Sequence, residues 1–463
     1  MVGRRRRWTA GLVAVAVTAS VATGWSVITR REGPPTGAPR NVELVTTSAW
    51  RITTDFSDTV GPTADQRWLS SGTIPGAGTA WADMVRYALL VLHQLGEPVG
   101  LFAAGAGENW GFSWPRDNAF TAAALAKTGH AHEAERILGF LASVQGDDGG
   151  FQARYLLGSG DPPDGRSPQS DGAGWALWAL DQVAASNADP RATAARFQGL
   201  LESATAFALA QVSDGSRLPP ASSDYWEQRE TKLTLGTAAP LLAGLRASAR
   251  LFAVLDDPAA AARSTHAADG LELLITQSFQ SNGYQRYETS GGTDAAICFL
   301  MPPFTDRPSA DVVTAWRRYQ VDAMRPAGGL APGASWKQDG ISWTPETALV
   351  ALAAASDRDS QEAAHWLDWL NSHRTTWGSL PEKVNSDGTP GGPAPLAWTA
   401  ASVILAVSAL DWRDIVGQGY PSKRRRPGRQ SAMVGSPTGA RDWADSRGRA
   451  ATGEASSVAA RWR

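Results

Sequence analysis

Cysteine is all but absent from this chain of 463 residues: Cys298 stands alone, in an apolar run. A lone thiol closes no internal disulfide, and this one reads as a small buried hydrophobe. Histidine is scarce too, six residues in scattered positions, and nowhere do Cys and His fall at metal-ligand spacing. His130 and His132, between two helical segments, read as surface residues. The sequence therefore implies no metal and no cofactor. Periodic β-branched runs are few, whereas Leu and Ala dominate the long segments, which favours an all-α protein over a sheet. An excess of basic charge is missing where it would matter. The formal net charge is −2, but residues 1–40 carry seven Arg and one Glu, and residues 419–463 carry ten Lys/Arg against three Asp/Glu. Residues 41–418 are left with 26 basic and 41 acidic side chains, a net near −15. Phosphates need the opposite sign, so a nucleic-acid partner is excluded.

The two ends read as accessories. Arg4 to Arg7 precede an uncharged stretch from Trp8 to Thr29, with Ser20-Val21-Ala22 as a small-residue cleavage site. The stretch is also long enough to remain as a membrane anchor. In both cases the main body is exported, secreted or held on the outer face of the cytoplasmic membrane. Residues 1–40 are thus a signal peptide or signal anchor plus a Pro-rich linker, and residues 41–78 form an N-terminal cap segment of extended character. The tail at 419–463, basic and poor in apolar residues, reads as disordered. The chain is expected to be a monomer.

Between these ends lies a repeat. Twelve helix-like segments bounded by Gly, Pro and Asp turns run over 79–95, 117–128, 131–145, 171–186, 190–212, 231–255, 257–279, 293–301, 308–324, 344–356, 359–373 and 396–412. Every second one is Ala-rich and apolar on all sides, the mark of a helix surrounded by others. Its partners are amphipathic, as in Asp359 to His373 with Ala363, Trp366, Trp369 and Leu370 on one side. The inner candidates begin near Asp117, Asp171, Thr231, Thr293, Thr344 and Leu396, at intervals of about 54, 60, 62, 51 and 52 residues. Such a period describes an array of helical hairpins. Six of them can close into an (α/α)6 toroid over residues 79–418, the inner helices parallel and their preceding loops at one mouth; an open solenoid is the alternative.

The polar chemistry is concentrated in those loops. Glu227 follows Ser223-Asp224-Tyr225-Trp226 before the third inner segment, and Glu382 lies in Gly378-Ser379-Leu380-Pro381-Glu382-Lys383-Val384 before the sixth. In a ring of six they face each other across the mouth, as a general acid and a general base would. Glu230, close by, is a rival for the acid. Trp110-Gly111-Phe112-Ser113-Trp114-Pro115-Arg116-Asp117-Asn118 precedes the first inner helix. There Arg116 and Asp117 either bind sugar hydroxyls or simply pair and cap the helix start. Pro168-Gln169-Ser170-Asp171 poses the same choice, with Asp171 an N-cap or a hydroxyl acceptor. Tryptophans outnumber tyrosines 20 to 7, and Trp110, Trp114, Trp226, Trp343 and Trp377 fall in the mouth loops as flat platforms would.

In this order, Phe112 to Asn118, Gln169 to Gly172, Tyr225-Trp226-Glu227, and Leu380-Pro381-Glu382 with Ala394-Pro395-Leu396-Ala397-Trp398 resemble the motifs of glycoside hydrolase family 15, the glucoamylase, glucodextranase and trehalase-like group. The resemblance spans most of residues 79–412. It implies the six-hairpin toroid and cleavage of α-glucosidic bonds in an α-glucan or α-glucoside with inversion. Glu227 then matches the general acid and Glu382 the general base. Trp114, Arg116, Asp117, Gln169, Asp171 and Trp226 match sugar-binding positions. Inversion asks for carboxyls about 6.5–9.5 Å apart, with a water between them. Glu227, beside Trp226, is expected in a Trp-lined setting that helps an acid keep its proton. Lys383 departs from the family pattern, which has Gln after the base. The stretch from Gly33 to Ser71 is also too short for the β-sandwich that many bacterial members carry.

Two other readings use the same toroid. A terpenoid cyclase or prenyltransferase is suggested by Gln145-Gly146-Asp147-Asp148-Gly149-Gly150-Phe151, but no Asp-x-Asp-Asp motif accompanies it. A non-catalytic sugar-binding toroid would not need both glutamates. Glu346 and Trp343, in another mouth loop, could touch substrate; a glutamate at a helix start is also ordinary electrostatics.

Overall fold

The computed structural model describes residues 64–96, 102–107 and 109–410, and the backbone of two short strands, Val42–Val45 and Arg51–Thr54, paired antiparallel. The expected export segment, the linker and the basic tail lie outside the described residues. Thirteen α-helices follow one another: α1 (Ala64–Ser70), α2 (Ala82–Leu95), α3 (Pro115–Lys127), α4 (Ala131–Val144), α5 (Asp171–Ser186), α6 (Pro190–Arg196), α7 (Gln198–Val212), α8 (Leu235–Val254), α9 (Pro258–Phe279), α10 (Ala310–Asp322), α11 (Thr344–Ser356), α12 (Ser360–Ser372) and α13 (Ala397–Ala409).

The inner helices are those that read as apolar all round. Every residue from Thr344 to Ala355 in α11, and from Ala397 to Val407 in α13, is buried. Taking a Leu-sized side chain out of water contributes about 1.5–3 kcal/mol, so these segments have no stable position except the interior. Each packs on the next: α3 on α5, α5 on α8, α8 on a 3-10 helix at Ala295–Leu300, that helix on α11, α11 on α13, and α13 back on α3. The ring is closed, an all-α (α/α)6 toroid rather than a solenoid. The amphipathic helices α2, α4, α7, α9, α10 and α12 lie against these inner elements as the outer layer. Glycine meets glycine where α5 crosses α8. A Cβ on Gly174 would lie 2.2 Å from the Pro240 carbonyl oxygen, and one on Gly244 would lie 2.5 Å from the Gly174 Cα. Only residues without a side chain let α5 and α8 approach so closely.

Aromatic rings from several spokes meet inside the ring. Phe120 of α3 lies 5.4 Å from Trp175 and 5.0 Å from Trp178 of α5, 5.8 Å from Phe304 and 5.8 Å from Trp398 of α13. Phe299 joins at 4.8 Å from Trp175 and 5.8 Å from Tyr225. These tilted and edge-on pairs form a hub of side chains below the mouth.

Four sequence expectations need correction. The fourth inner segment, expected as a helix over 293–301, is a single 3-10 helix of six residues, capped by Asp294 and stopped ahead of Pro302-Pro303. The segment expected as one helix over 190–212 breaks at Phe197, whose buried ring separates α6 from α7. The cap segment is not extended throughout, since 64–70 is the helix α1. His130 is not on the surface: it is 3% exposed, stacked at 3.8 Å under Trp68 of α1, which also stacks on His93.

Candidate active site

The turn that carries Glu227 is built by Asp224. Its carboxylate accepts from the Trp226 amide at 3.0 Å, and its carbonyl accepts from the Glu227 amide at 2.8 Å. That closes a tight turn and leaves Glu227 at φ 56°, in the left-handed region that a side chain occupies only when its surroundings impose it. The surroundings here are Arg286. Its guanidinium is 2.9 Å from Asp224, 2.7 Å from Glu230 and 3.3 Å from Asp294, and lies 3.7 Å over the Trp226 ring. Burial works against this cation, but Asp294 and Asp224, with Tyr225, more than restore its charge. Burial also raises Asp294, to about 6, with Arg286 opposing the shift. Glu230 further accepts from the Tyr287 hydroxyl at 2.9 Å. Arg286 and Tyr287 thus engage Glu230 in the wall behind Trp226.

Glu227 faces the other way, its side chain 24% exposed. Arg116 Nη1 stands 3.5 Å from Oε1; Arg166 Nη1 is 3.2 Å and Gln169 Nε2 3.1 Å from Oε2. This is a polar cradle, not the Trp-lined setting expected, because Trp226 turns away to sit between Arg286 and Trp336. Arg116 also pairs with Asp117 at 3.0 Å and lies 4.4 Å over the Trp398 ring. The helix-start ion pair and the reach toward Glu227 are therefore both real. Pro115 occupies the first turn of α3 and Trp114 its N-cap position, where Trp114 is buried beneath Arg154. Asp117 is raised by burial, against the pull of Arg116. Asp171 is raised further, to about 7, by burial, with Arg116 opposing it and the charges of Asp224 and Glu227 adding to it. Ser170, not Asp171, is the N-cap of α5; Asp171 takes the Trp175 indole N–H at 3.1 Å instead.

Glu382 leads into a three-stranded ribbon, Ser342–Trp343, Lys383–Val384 and Pro390–Gly391. Its amide donates to the Pro393 carbonyl at 2.8 Å and its carbonyl accepts from the Thr344 amide at 3.0 Å. The carboxyl is 6% exposed, with Lys383 Nζ 2.8 Å from Oε2. Burial pushes it up from the usual carboxylate range, while Lys383 and a hydrogen bond from Trp110 pull it back. Gly392, at φ 69°, leaves the space the carboxylate fills: a Cβ there would lie 2.8 Å from Oε2.

The structure thus gathers Arg116, Asp117, Gln169, Asp171 and Glu227 on one wall and places Glu382 on another, before the third and sixth inner elements. A run of rings joins them along the rim: Trp226 to Trp336 at 4.7 Å, Trp336 to Trp343 at 5.5 Å, and Lys383 Nζ 4.3 Å over Trp343. Sequence reasoning missed Arg166, Arg286 and Trp336. No group of acidic, His or Cys side chains that could hold a metal is found among the described residues.

No protein-family model matches this chain, and no curated protein matches it in sequence. Its fold does match solved structures. A structure titled "Glycosidase Wild Type" superposes with a TM-score of 0.61 at 20% identity, covering 71% of this chain and 96% of the other. A bacterial glucoamylase complexed with acarbose gives 0.62 at 17% identity, covering 77% of this chain and 60% of that longer one. A glucoamylase from Saccharomycopsis fibuligera gives 0.58 at 14%, over 78% and 97%. The fold is glucoamylase-like.

Proposed function

We propose that this chain is a glycoside hydrolase that releases glucose from an α-glucan or α-glucoside with inversion, Glu227 acting as general acid and Glu382 as general base. The observation that carries the reading is the placement of two partly or wholly buried carboxyls before opposed elements of one closed ring, Glu227 held by Arg116 and Arg166 and Glu382 by Lys383. Protonation of the glycosidic oxygen from Glu227 and activation of water by Glu382, on the opposite face of the sugar, is the division of labour such a pair supports. Arg116 and Gln169 offer a guanidinium donor and an amide to the terminal sugar. Neighbours of the same fold are titled glycosidase and glucoamylase, one bound to acarbose, which fits a glucoside substrate. The N-terminal segment directs the chain to the outside of the cell, secreted or anchored.

The test is the anomer of glucose released, followed by NMR over maltose, isomaltose, trehalose, starch and dextran. Fresh β-glucose that disappears in Glu227→Gln and Glu382→Gln supports the proposal and names the substrate. Release unchanged in both variants would mean that other groups do the chemistry.

A further inference from the structure

Glu346 is a third carboxyl of the mouth that neither catalytic role uses. It lies in the first turn of α11, is 3% exposed, and its Oε2 is buried with no hydrogen-bond partner among the described residues. Its backbone amide hydrogen-bonds to the carboxyl. Thr344, two residues before it, donates its amide to the Glu382 carbonyl, so the two glutamates share one corner. The charged and titratable groups close enough to act on Glu346 are Glu382, Arg116 and Asp294, with Tyr319 of α10 and Cys298 of the 3-10 helix. Arg116 stands on the first inner element and Asp294 on the fourth, directly opposite in a ring of six. Glu346, on the fifth, is buried within the ring and feels both of these as well as Glu382 ahead of the sixth.

A buried carboxyl with an empty oxygen costs free energy unless something completes it. The carboxylates around Arg286 show the structural solution in this same protein, since each grips a guanidinium. Glu346 has no such grip. Resting on the glycosidase reading, we infer that Glu346 is the floor of the sugar site and binds one hydroxyl of the terminal sugar, donating to it as a neutral acid. Burial, reinforced by the charge of Glu382, raises it to about 8, so the proton needed for donation is present at neutral pH. The residue would set specificity, since a sugar lacking that hydroxyl leaves the buried oxygen unpaired.

Calorimetric binding of glucose and its 2-, 3-, 4- and 6-deoxy analogues to the full-length protein, Glu346→Leu and Glu346→Gln tests this. Thermal melts monitor the fold. Glu346→Leu should weaken glucose by about tenfold, the worth of one buried hydrogen bond, yet bind one deoxy sugar as well as the unaltered protein does. Glu346→Gln, which keeps an N–H donor, should bind glucose nearly normally. The unaltered protein should lose affinity above about pH 8 as Glu346 ionises, and Glu346→Gln should not. The assignment is overturned if glucose binds Glu346→Leu as tightly as the unaltered protein, if all five sugars weaken equally, or if Glu346→Gln keeps the alkaline loss. Should Glu346→Leu not fold, the Gln variant and the pH series decide alone. Failure of every sugar to bind the unaltered protein would sink the glycosidase reading and this one together, an outcome distinct from the others.

Discussion

Two buried arginines organise this mouth, and they do opposite things. Arg286 is 1% exposed and holds Asp224, Glu230 and Asp294 behind Trp226. Arg116 is nearly as buried but reaches Glu227, which stays open to solvent. The first cluster is buried throughout and shapes the turn; the second leaves its carboxylate part-exposed. Charge alone does not separate a structural ion cluster from a reactive one. What separates them is whether one acid in the cluster keeps a free approach.

The comparison can be broken experimentally. Replacing Glu227 or Glu382 by Gln should cost about 10²–10⁴ in kcat, the usual worth of a positioned acid or base, with the melting temperature little changed. Glu230→Gln should leave kcat within a few-fold, and a kcat loss as deep as that of Glu227→Gln would return Glu230 to the site. Arg286→Met should instead act on stability, by about 3–5 kcal/mol, because it strands three buried carboxylates; denaturant unfolding measures it. Gly392→Ala should cost about 10²-fold in kcat with the fold retained, since the added methyl displaces Glu382 from its place. The smallest effect is expected from Lys383→Met. Lys383 favours the ionised form of Glu382, so removing it raises that carboxyl further and moves the acid limb of the kcat/KM profile to higher pH. An acid limb that stays put would show that Lys383 does not bear on the base.

Much of this was readable before the structure. Helices such as α11 and α13, apolar on all faces, can only be inner ones, and their spacing gives a ring of six. Glu227 and Glu382, the proposed acid and base, lie in loops whose neighbours are distinctive. Other features depend on distance along the chain. Glu227 and Glu230 are three residues apart and equally polar, and only Arg286, far downstream, tells them apart. Arg166 sits in an exposed polar loop and reaches Glu227 because Phe112–Ser113 pairs with Tyr155–Leu156. His130 looked exposed because the ring that covers it belongs to Trp68, on a helix before the repeat. The fourth element was expected to stop before Pro302-Pro303, as it does, but its apolar run gave no sign that it would be a six-residue 3-10 helix.

The aromatic hub has a consequence for traffic. Phe120, Trp175, Trp178, Phe299 and Phe304 fill the ring below the mouth, where an open toroid would have a bore. Nothing passes through such a molecule. On the proposed hydrolysis, whatever enters would back out by the same door, so a released monosaccharide would stand in the path of the next chain end, and a polymer would let go after each cut. Such an enzyme would be a turnstile rather than a conveyor: slow to clear when product accumulates, and indifferent to how long the chain outside happens to be.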